Sequence, residues 1–250
     1  PLTTRTLICV LQAVARAHDN KHSIYDEIHE VFSVFDRRLE HGELDESTWM
    51  EIAALELRFI GAFEKGSDRQ PRFVAMLLEH SPRLFVDLVR HLYKRDEGPP
   101  ETDASDEAKT AAHNAYIILD AWQTFPGHGL DDPRAWEPVL AQWCDDVIQL
   151  ARAEGRLLGT ALALAEVLAR PPAGEDGHWP CVTARRLIEG NVLPRLANQL
   201  GVAKHNMRGV WIVGPYEGGA QKRELADAFR HSADALRPEW PHTAAMLMSL

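Results

Sequence analysis

The amino-acid sequence predicts an all-α protein, an irregular stack of antiparallel helix pairs with the character of a HEAT-like α-solenoid or a helical bundle. Apolar residues recur at steps of three and four positions in nearly every window, which is the period of an amphipathic helix. Alternating patterns typical of strands are almost absent, and prolines and glycines separate the periodic segments. No self-similar period indicates a regular repeat class, so a solenoid here would be irregular.

Five helices are predicted before residue 96. The third begins after Asp45 or Ser47, either of which can accept a hydrogen bond from a backbone N–H of the first helical turn. Its apolar residues lie nearly all round, which predicts a central position. Ser81 and Pro82 predict the start of the fifth helix, because proline at the first helical position loses no hydrogen bond. The predicted ranges are 3–18, 23–39, 46–64, 71–80 and 82–95.

Seven further helices are predicted after residue 105. The longest starts after Asp132 and Pro133, which repeat the pattern of a capping residue followed by proline. Gly190 and Gly201 each follow a predicted helix and suit the left-handed conformation there. One short extended segment is expected near 209–216, the only stretch rich in β-branched and aromatic residues between helix breakers. The predicted ranges are 106–124, 133–154, 156–170, 181–189, 192–200, 218–236 and 239–250.

Apolar positions on the helical stripes predict the core. Trp49 falls on such a stripe and is expected to be buried. Cys9 and Cys144 lie in strongly apolar helical contexts, where a free thiol behaves as a small hydrophobe. Together with Cys181 they are an odd number at wide spacing, so no disulfide framework is indicated. The buried stripe of the longest helix is predicted to hold Trp136, Val139, Leu140, Trp143, Val147 and Leu150.

An acidic stretch divides the chain. Residues 96–107 contain six acidic residues, two prolines and no basic residue, which is typical of an exposed connector. The sequence therefore predicts an N-terminal helical subdomain at 1–96, an acidic linker at 97–107 and a C-terminal helical subdomain at 108–250. A solvated connector is the simpler interpretation of the stretch, and an acidic docking segment for a basic partner is the alternative.

Composition and charge limit the function classes. With 45% hydrophobic residues, 26% charged residues and a net charge of −10, the chain should fold, and it is not suited to coat nucleic acid. Basic residues outnumber acidic ones between Arg185 and Arg230, which leaves a phosphate-facing or acidic-partner patch as an alternative to an ordinary solvated surface. No apolar run of about 18 residues and no signal-peptide layout occur, so we expect a cytoplasmic protein without a membrane segment. The chain begins without methionine and ends on an apolar run, as a fragment of a longer protein would.

Motifs that carry chemistry are mostly missing from the sequence. No glycine-rich phosphate loop and no nucleophile elbow occur. The nearest approach to a metal motif is His178 with Cys181 and the distant His205, which lacks a paired C-x-x-C. We therefore expect no metal, no cofactor and no catalytic residue, and an enzyme is the less favoured class.

One polar segment stands apart from the rest. Two glycines precede a helix whose first turns carry charged residues, so free backbone N–H groups and the positive end of the helix dipole would face an incoming anion. Arginine side chains on both sides of the extended segment would add forked donors. The simpler alternative is that these side chains pair with neighbouring helices. The candidate ligand-binding residues are Asn206, Arg208, Gln221, Arg223 and Glu224.

Several short motifs carry a family resemblance. They include Asp176 to Pro180, Arg208 to Val210, Gly218 to Ala226, and Trp240 to Ala244. This pattern resembles the C-terminal helical region of very large, poorly characterised bacterial multidomain proteins, and Ile52 to Glu56 is similar to an upstream helix of that region. The resemblance implies a bacterial fragment with scaffold character, and it implies no mechanism.

Three functions remain open on the sequence. The favoured one is a non-catalytic helical interaction module that binds a protein partner or other domains of its parent chain, because amphipathic helices are abundant and catalytic motifs are missing. The second is an enzyme or ligand sensor that binds an anionic small molecule at 206–224. The third, which the net charge disfavours, is a scaffold that contacts nucleic acid through the basic stretch.

Overall fold

The computed structural model describes residues 2–17, 24–63, 69–98, 105–207 and 220–250. Within these ranges the regular secondary structure is helical and no strand occurs, which confirms the predicted all-α class. Pairs of helices pack against one another as in a helical bundle, and a solenoid arrangement stays a prediction. The extended segment expected near 209–216 lies outside the described residues.

The chain divides into two compact units by its internal contacts, Pro1–Ser81 with Thr102–Gln123 and Pro82–Glu101 with Thr124–Leu250. The predicted linker at 97–107 lies partly outside the described residues, so the predicted domain boundary stays a prediction. The first unit contains α1 (Thr4–Ala17), α2 (Tyr25–Glu40), α3 (Glu46–Arg58), a 3₁₀ helix (Ile60–Phe63), α4 (Arg72–His80) and α6 (Asp106–Ala121). The second contains α5 (Pro82–Leu92), α7 (Pro133–Glu154), α8 (Leu157–Leu168), α9 (Val182–Glu189), α10 (Leu196–Asn206), α11 (Ala220–Leu236) and α12 (Pro241–Ser249).

Aromatic rings form the centre of the first unit. The Phe32 ring meets Phe35 and Phe63 edge to face, with ring centroids 5.9 and 5.5 Å apart. Phe35 meets Phe73 of α4 in the same way at 6.5 Å. All four side chains are fully buried, and edge-to-face contact is the favourable geometry for such rings. These contacts join α2, the 3₁₀ helix and α4.

The second unit is built around α7. Its predicted stripe is buried at Trp136, Leu140 and Trp143, and the Trp143 ring packs edge to face on Phe85 of α5 at 5.1 Å. Val139 is an exception to the predicted stripe, because its side chain is 43% exposed. α7 also packs against α8 and α9, while α12 packs against α9, α10 and α11.

Local capping residues begin and end several helices as predicted. The Asp45 side chain accepts a hydrogen bond from the Thr48 backbone N–H at the start of α3, at 2.8 Å. Asp132 accepts one from the Arg134 N–H at the start of α7, at 2.9 Å. α7 then ends at Gly155 in the left-handed conformation, with a φ of 66°, which glycine adopts without a steric penalty.

Four of the helices that lack a local side-chain cap are capped by a residue from elsewhere in the chain. At the positions just before α4, α8, α9 and α12, no side chain accepts a hydrogen bond from the helix that follows. In each case a carboxylate from another helix, or from the residues just after one, accepts a hydrogen bond from a backbone N–H of the first turn. The four carboxylates belong to Glu56 for α4, Asp96 for α8, Glu137 for α9 and Glu189 for α12.

The structure corrects three local predictions. The third helix does not run from 46 to 64, because α3 ends at Arg58 and a 3₁₀ helix follows. Gly190 has a right-handed φ of −69°, and the positive φ falls on Asn191 instead. Gly201 lies inside α10 rather than after a helix, and a Cβ atom there would lie 3.5 Å from the Leu250 side chain. Gly201 therefore lies within a helix, at an ordinary van der Waals distance from Leu250, and ends no helix.

One of the two cysteines predicted to be buried differs from the prediction. All three thiols are free, and Cys144 and Cys181 are buried as small hydrophobes. Cys9, expected in the same role, is exposed on α1. Its apolar neighbours Leu7, Ile8 and Leu11 are buried, so Cys9 occupies the solvent side of an amphipathic helix whose other side carries the core.

Candidate functional site

The structure describes three of the five predicted ligand-binding residues. Asn206 is the last residue of α10 and is exposed. Arg223 and Glu224 lie in the first turns of α11, and both are exposed. Arg208 and the side chain of Gln221 lie outside the described residues. Convergence of the five residues on one ligand therefore stays a prediction.

A loop between α8 and α9 lies against α10 and α11, the two helices that flank residues 208–219. The loop, residues 174–181, turns tightly at Gly177, which has a φ of 75°. The Gly177 N–H donates to the Gly174 carbonyl at 2.9 Å, and the His178 N–H donates to Asp176 Oδ1 at 3.1 Å. The Trp179–Pro180 peptide bond is cis. Loop 174–181 thus has a defined backbone held by its own hydrogen bonds.

The buried side chain of Arg185 holds this loop by hydrogen bonds. Arg185 lies on α9 and is 1% exposed. Its Nε donates to the Pro180 carbonyl at 2.7 Å, and its Nη1 and Nη2 donate to the two Asp176 carboxylate oxygens at 2.5 and 2.9 Å. Nη2 also donates to the His178 carbonyl. The Arg185 hydrogen bonds lower the pKa of Asp176, so the pair stays charged at neutral pH.

The held loop presents His178 and Trp179 to α10 and α11. The His178 Nδ1 atom lies 3.3 Å from the Ser232 hydroxyl of α11. The Trp179 ring meets Phe229 of α11 edge to face at 6.2 Å. On its face lies the Lys204 ammonium of α10, 4.5 Å from the ring centroid, at a distance typical of a cation–π contact. Loop 174–181 therefore connects the two helices that flank residues 208–219.

The arrangement of His178, Ser232 and His231 has few of the features that nucleophilic catalysis requires. His178 and His231 have ring centroids 6.0 Å apart, and a serine hydroxyl bonded to a histidine is one requirement for nucleophilic catalysis. No third residue orients His178 through its ring in the described part of the chain, since Asp176 is bonded to the backbone of His178 and to Arg185. The geometry is that of a packing joint with a polar edge.

Of the six basic residues between Arg185 and Arg230 whose side chains the structure describes, at least three pair with acidic residues. Arg185 is buried on Asp176, and Arg186 pairs with Asp145 of α7 at 2.9 Å. Arg230 pairs with Asp227 one helical turn away, at 2.6 Å. Such pairing reduces the positive charge that a phosphate backbone would meet, because each of these cations has an acidic neighbour. The observation favours an ordinary surface over a nucleic-acid interface.

A second polar cluster, which sequence reasoning missed, lies in the first unit. Glu56 of α3 is fully buried, and Arg69 is 9% exposed. The Arg69 Nη1 donates to Glu56 Oε1 at 2.7 Å, while its Nε and Nη2 donate to the two carboxylate oxygens of Asp36 at 2.6 and 2.9 Å. The rings of Phe32 and Phe63 lie 5.0 Å from the guanidinium carbon. Burial raises the pKa of Glu56 to about 7.

The sequence carries a signal for this cluster. Ile52, Glu56 and Phe63 follow one another at steps of four and seven, so they share one face of a continuous helical pattern. An acidic residue on an otherwise apolar face indicates a buried carboxylate that needs a cationic partner. The partner could not be chosen from the sequence, because the chain has 27 lysine and arginine residues.

Open grooves occur in both units. In the first, a groove of about 570 Å³ follows α2 and is lined by Asp26, His29, Glu30, Ser33, Val34, Arg37 and Arg69. In the second, a groove of about 420 Å³ lies along α5 and α7 beside Arg83 and Leu150, and one of about 440 Å³ lies at the end of α7 beside Arg95 and Arg152. Charged side chains of both signs line all three.

The described ranges contain neither a metal-binding cluster nor a helix that could span a membrane. There, no three His, Cys, Asp or Glu side chains lie close enough together to hold a metal ion. None of the helices described combines the length and the apolar character that crossing a membrane requires. Comparison of the chain with protein-family models, with curated proteins and with solved structures finds no match.

Proposed function

We propose that this chain is a non-catalytic helical scaffold, an interaction module of a larger bacterial cytoplasmic protein that binds a protein partner or other domains of its parent. The observation that carries the proposal is that polar side chains in both units join helices together. Arg69 and Arg185, together with the four carboxylates that begin α4, α8, α9 and α12, all join one helix to another or to a loop. Satisfied polar networks make a fold rigid, and a rigid set of helices is what a scaffold requires.

The second unit offers a candidate contact surface. α9, α10 and α12 pack on one another, and each exposes a large apolar side chain. Val182 is 39% exposed, Val202 is 47% exposed and Met248 is 50% exposed. Exposed apolar side chains are common singly, but several on packed helices form the apolar part of an interaction surface. The resemblance to helical regions of large bacterial proteins also supports a partner-binding role.

Affinity capture with matched surface variants tests the proposal. The intact chain is immobilised, and retained bacterial proteins are quantified by mass spectrometry for the wild type, for the double variant Val202→Asp with Met248→Asp, and for Leu130→Asp. Leu130 is an exposed apolar residue of the same unit, outside these helices. We expect a defined set of proteins that the Leu130 variant retains and the double variant loses. A set that the double variant retains unchanged contradicts the proposed surface.

An anionic small molecule at 206–224 is the second candidate function. It is supported by the exposed Arg223 near the start of α11, where the helix dipole favours an anion. Inorganic pyrophosphate, a small anion, is the probe. If it binds only the folded state, it raises the melting temperature. We expect Arg223→Ala to abolish the rise, and Arg237→Ala to preserve it. Arg237 is the control, because it lies just after α11, at the other end of the helix, and pairs with Asp234. Equal rises in both variants contradict this candidate.

A further inference from the structure

The Glu56 carboxylate occupies an unusual place at the start of α4. The residue before this helix is Pro71, which has no side chain that can accept a hydrogen bond. Glu56 Oε2 accepts a hydrogen bond from the Val74 backbone N–H in the first turn instead, at 2.7 Å. Its other oxygen accepts from Arg69, two residues before Pro71. One buried carboxylate of α3 therefore holds both the approach to α4 and its first turn.

The cluster carries an unbalanced charge. Among the residues that the structure describes, Arg69 is the one cation that bonds to Glu56, and it also bonds to Asp36 of α2. With both carboxylates ionised, the three groups have a net charge of −1 although Glu56 is fully buried and Arg69 nearly so. A proton on Glu56 makes the cluster neutral. Burial of a net charge is costly, so the burial of Glu56 and the nearby Asp36 carboxylate favour the protonated form, whereas the hydrogen bonds from Arg69 and Val74 favour the ionised one.

Within the described ranges, the other charged groups near α3 do not restore the balance. On α1, which packs against α3, Arg5 and Gln12 bond to Glu51, a half-buried carboxylate more than one turn before Glu56. On α4, Arg72 pairs with Glu40 at the surface. At the far ends of α3 and α4, His80 lies against Trp49.

The aromatic side chains described beside the cluster do not balance its charge either. From α2, the His29 ring stacks on Phe63 and bonds to the Ala62 carbonyl of the 3₁₀ helix. The charges that act directly on Glu56 are those of Arg69, which favours ionisation, and Asp36, which opposes it. Burial outweighs them, and the pKa of Glu56 rises to about 7 from its ordinary value of 4.5.

The sign of the pH dependence follows from this direction. In an opened state Glu56 is solvated and ionises near 4.5, whereas in the closed state it keeps its proton up to about 7. Between these values, opening releases a proton. Opening therefore becomes more favourable as pH rises through this window and is least favourable below it.

We propose that Glu56, Arg69 and Asp36 form a proton-linked latch, in which the protonated cluster keeps the start of α4 closed against α3 and deprotonation favours its opening. The latch makes the α3–α4 joint of the first unit sensitive to pH near neutrality. It is independent of the partner-binding role proposed above.

Native-state hydrogen exchange of the full chain tests the latch. Exchange of the Val74 amide and of its neighbours in α4 is measured from pH 5 to pH 8 and corrected for the intrinsic pH dependence of exchange. We expect the opening constant to rise about tenfold per pH unit up to about pH 7 and then to level off. Glu56→Gln should remove this slope, while Glu51→Gln, a carboxylate variant on the same helix, should keep it.

Two results overturn the proposal. One is a wild-type opening constant that does not change with pH, and the other is a slope that Glu56→Gln retains or that Glu51→Gln also loses. If Glu56→Gln does not fold, the wild type still decides the matter through its carboxyl carbon resonances in a pH titration by NMR. A Glu56 midpoint near 7 supports the latch, and a midpoint near 4.5 refutes it.

Discussion

Glu189 Oε1 accepts hydrogen bonds from both the backbone N–H and the hydroxyl of Thr243, at 2.8 and 3.0 Å. Its other oxygen accepts from the His242 N–H at 3.2 Å. Trp240, which precedes α12, provides no side-chain cap, so the last residue of α9 takes over that function. Because Thr243 is fully buried, these bonds fix where α12 begins relative to α9.

Glu189→Ala should lower the free energy of unfolding by about 2 kcal/mol, because the variant loses a helix cap and leaves the buried Thr243 hydroxyl without its acceptor. Chemical denaturation monitored by circular dichroism measures the change. Glu239→Ala is the matched control, since Glu239 is exposed just before α12. It should change stability by less than about 0.5 kcal/mol. An equal loss in both variants would show that the Glu189 bonds do not stabilise the fold.

Local and remote caps explain which helix boundaries could be predicted. The Asp45 and Asp132 caps were predicted because the acceptor lies within three residues of its donor. The Glu189 cap joins residues 54 positions apart, and no local rule relates them. For the same reason the sequence could not show that Gly201 lies inside a helix beside Leu250, which comes 49 residues later.

The candidate site was less accessible to sequence reasoning than the fold. The sequence places Arg185 in a basic stretch, although its side chain is almost fully buried. Its neighbours Ala184 and Leu187 are buried as well, and a basic residue between apolar ones on a short helix is a sign of an internal partner. That partner, Asp176, lies on the loop that the resemblance emphasised, and only the folded chain connects the two.

Arg185→Lys should destabilise the second unit by about 3 kcal/mol, since an ammonium group cannot form the fork to Asp176 and also reach the two carbonyl groups that Arg185 binds. Loop 174–181 should loosen, and fluorescence of the chain should change because Trp179 belongs to that loop. Urea denaturation and emission spectra check both effects. Arg186→Lys, at a half-exposed pair with Asp145, is the control and should stay within about 0.5 kcal/mol of the wild type. If both lysine variants match the wild type, Arg185 does not hold the loop.

The three thiols should differ sharply in reactivity. Burial raises the pKa of Cys181 to about 12 and that of Cys144 well above its ordinary value, so neither forms the reactive thiolate near pH 8. Cys9 is exposed. An aromatic disulfide reagent should therefore modify a single thiol quickly in the folded protein and all three in denaturant. Cys9→Ser should abolish the fast reaction, and a fast reaction that persists in this variant would contradict the burial of the other two.

Gly159→Ala should destabilise the second unit although alanine favours helix formation over glycine by about 1 kcal/mol. A Cβ atom at Gly159 would lie 2.5 Å from the Cβ of Tyr93, and the Tyr93 carbonyl is bonded to Arg156 just before α8. Tyr93 therefore cannot move aside without disturbing the start of that helix, and we expect a net loss of about 2 kcal/mol in the free energy of unfolding. The control is Gly201→Ala in α10, where the new Cβ would meet Leu250 at an ordinary 3.5 Å. It should be neutral or should stabilise the protein by up to about 1 kcal/mol, because no overlap offsets the gain in helix propensity. Thermal denaturation of both variants distinguishes the two effects, and a gain at Gly159 would mean that Tyr93 does not pack on α8 as closely as the structure describes.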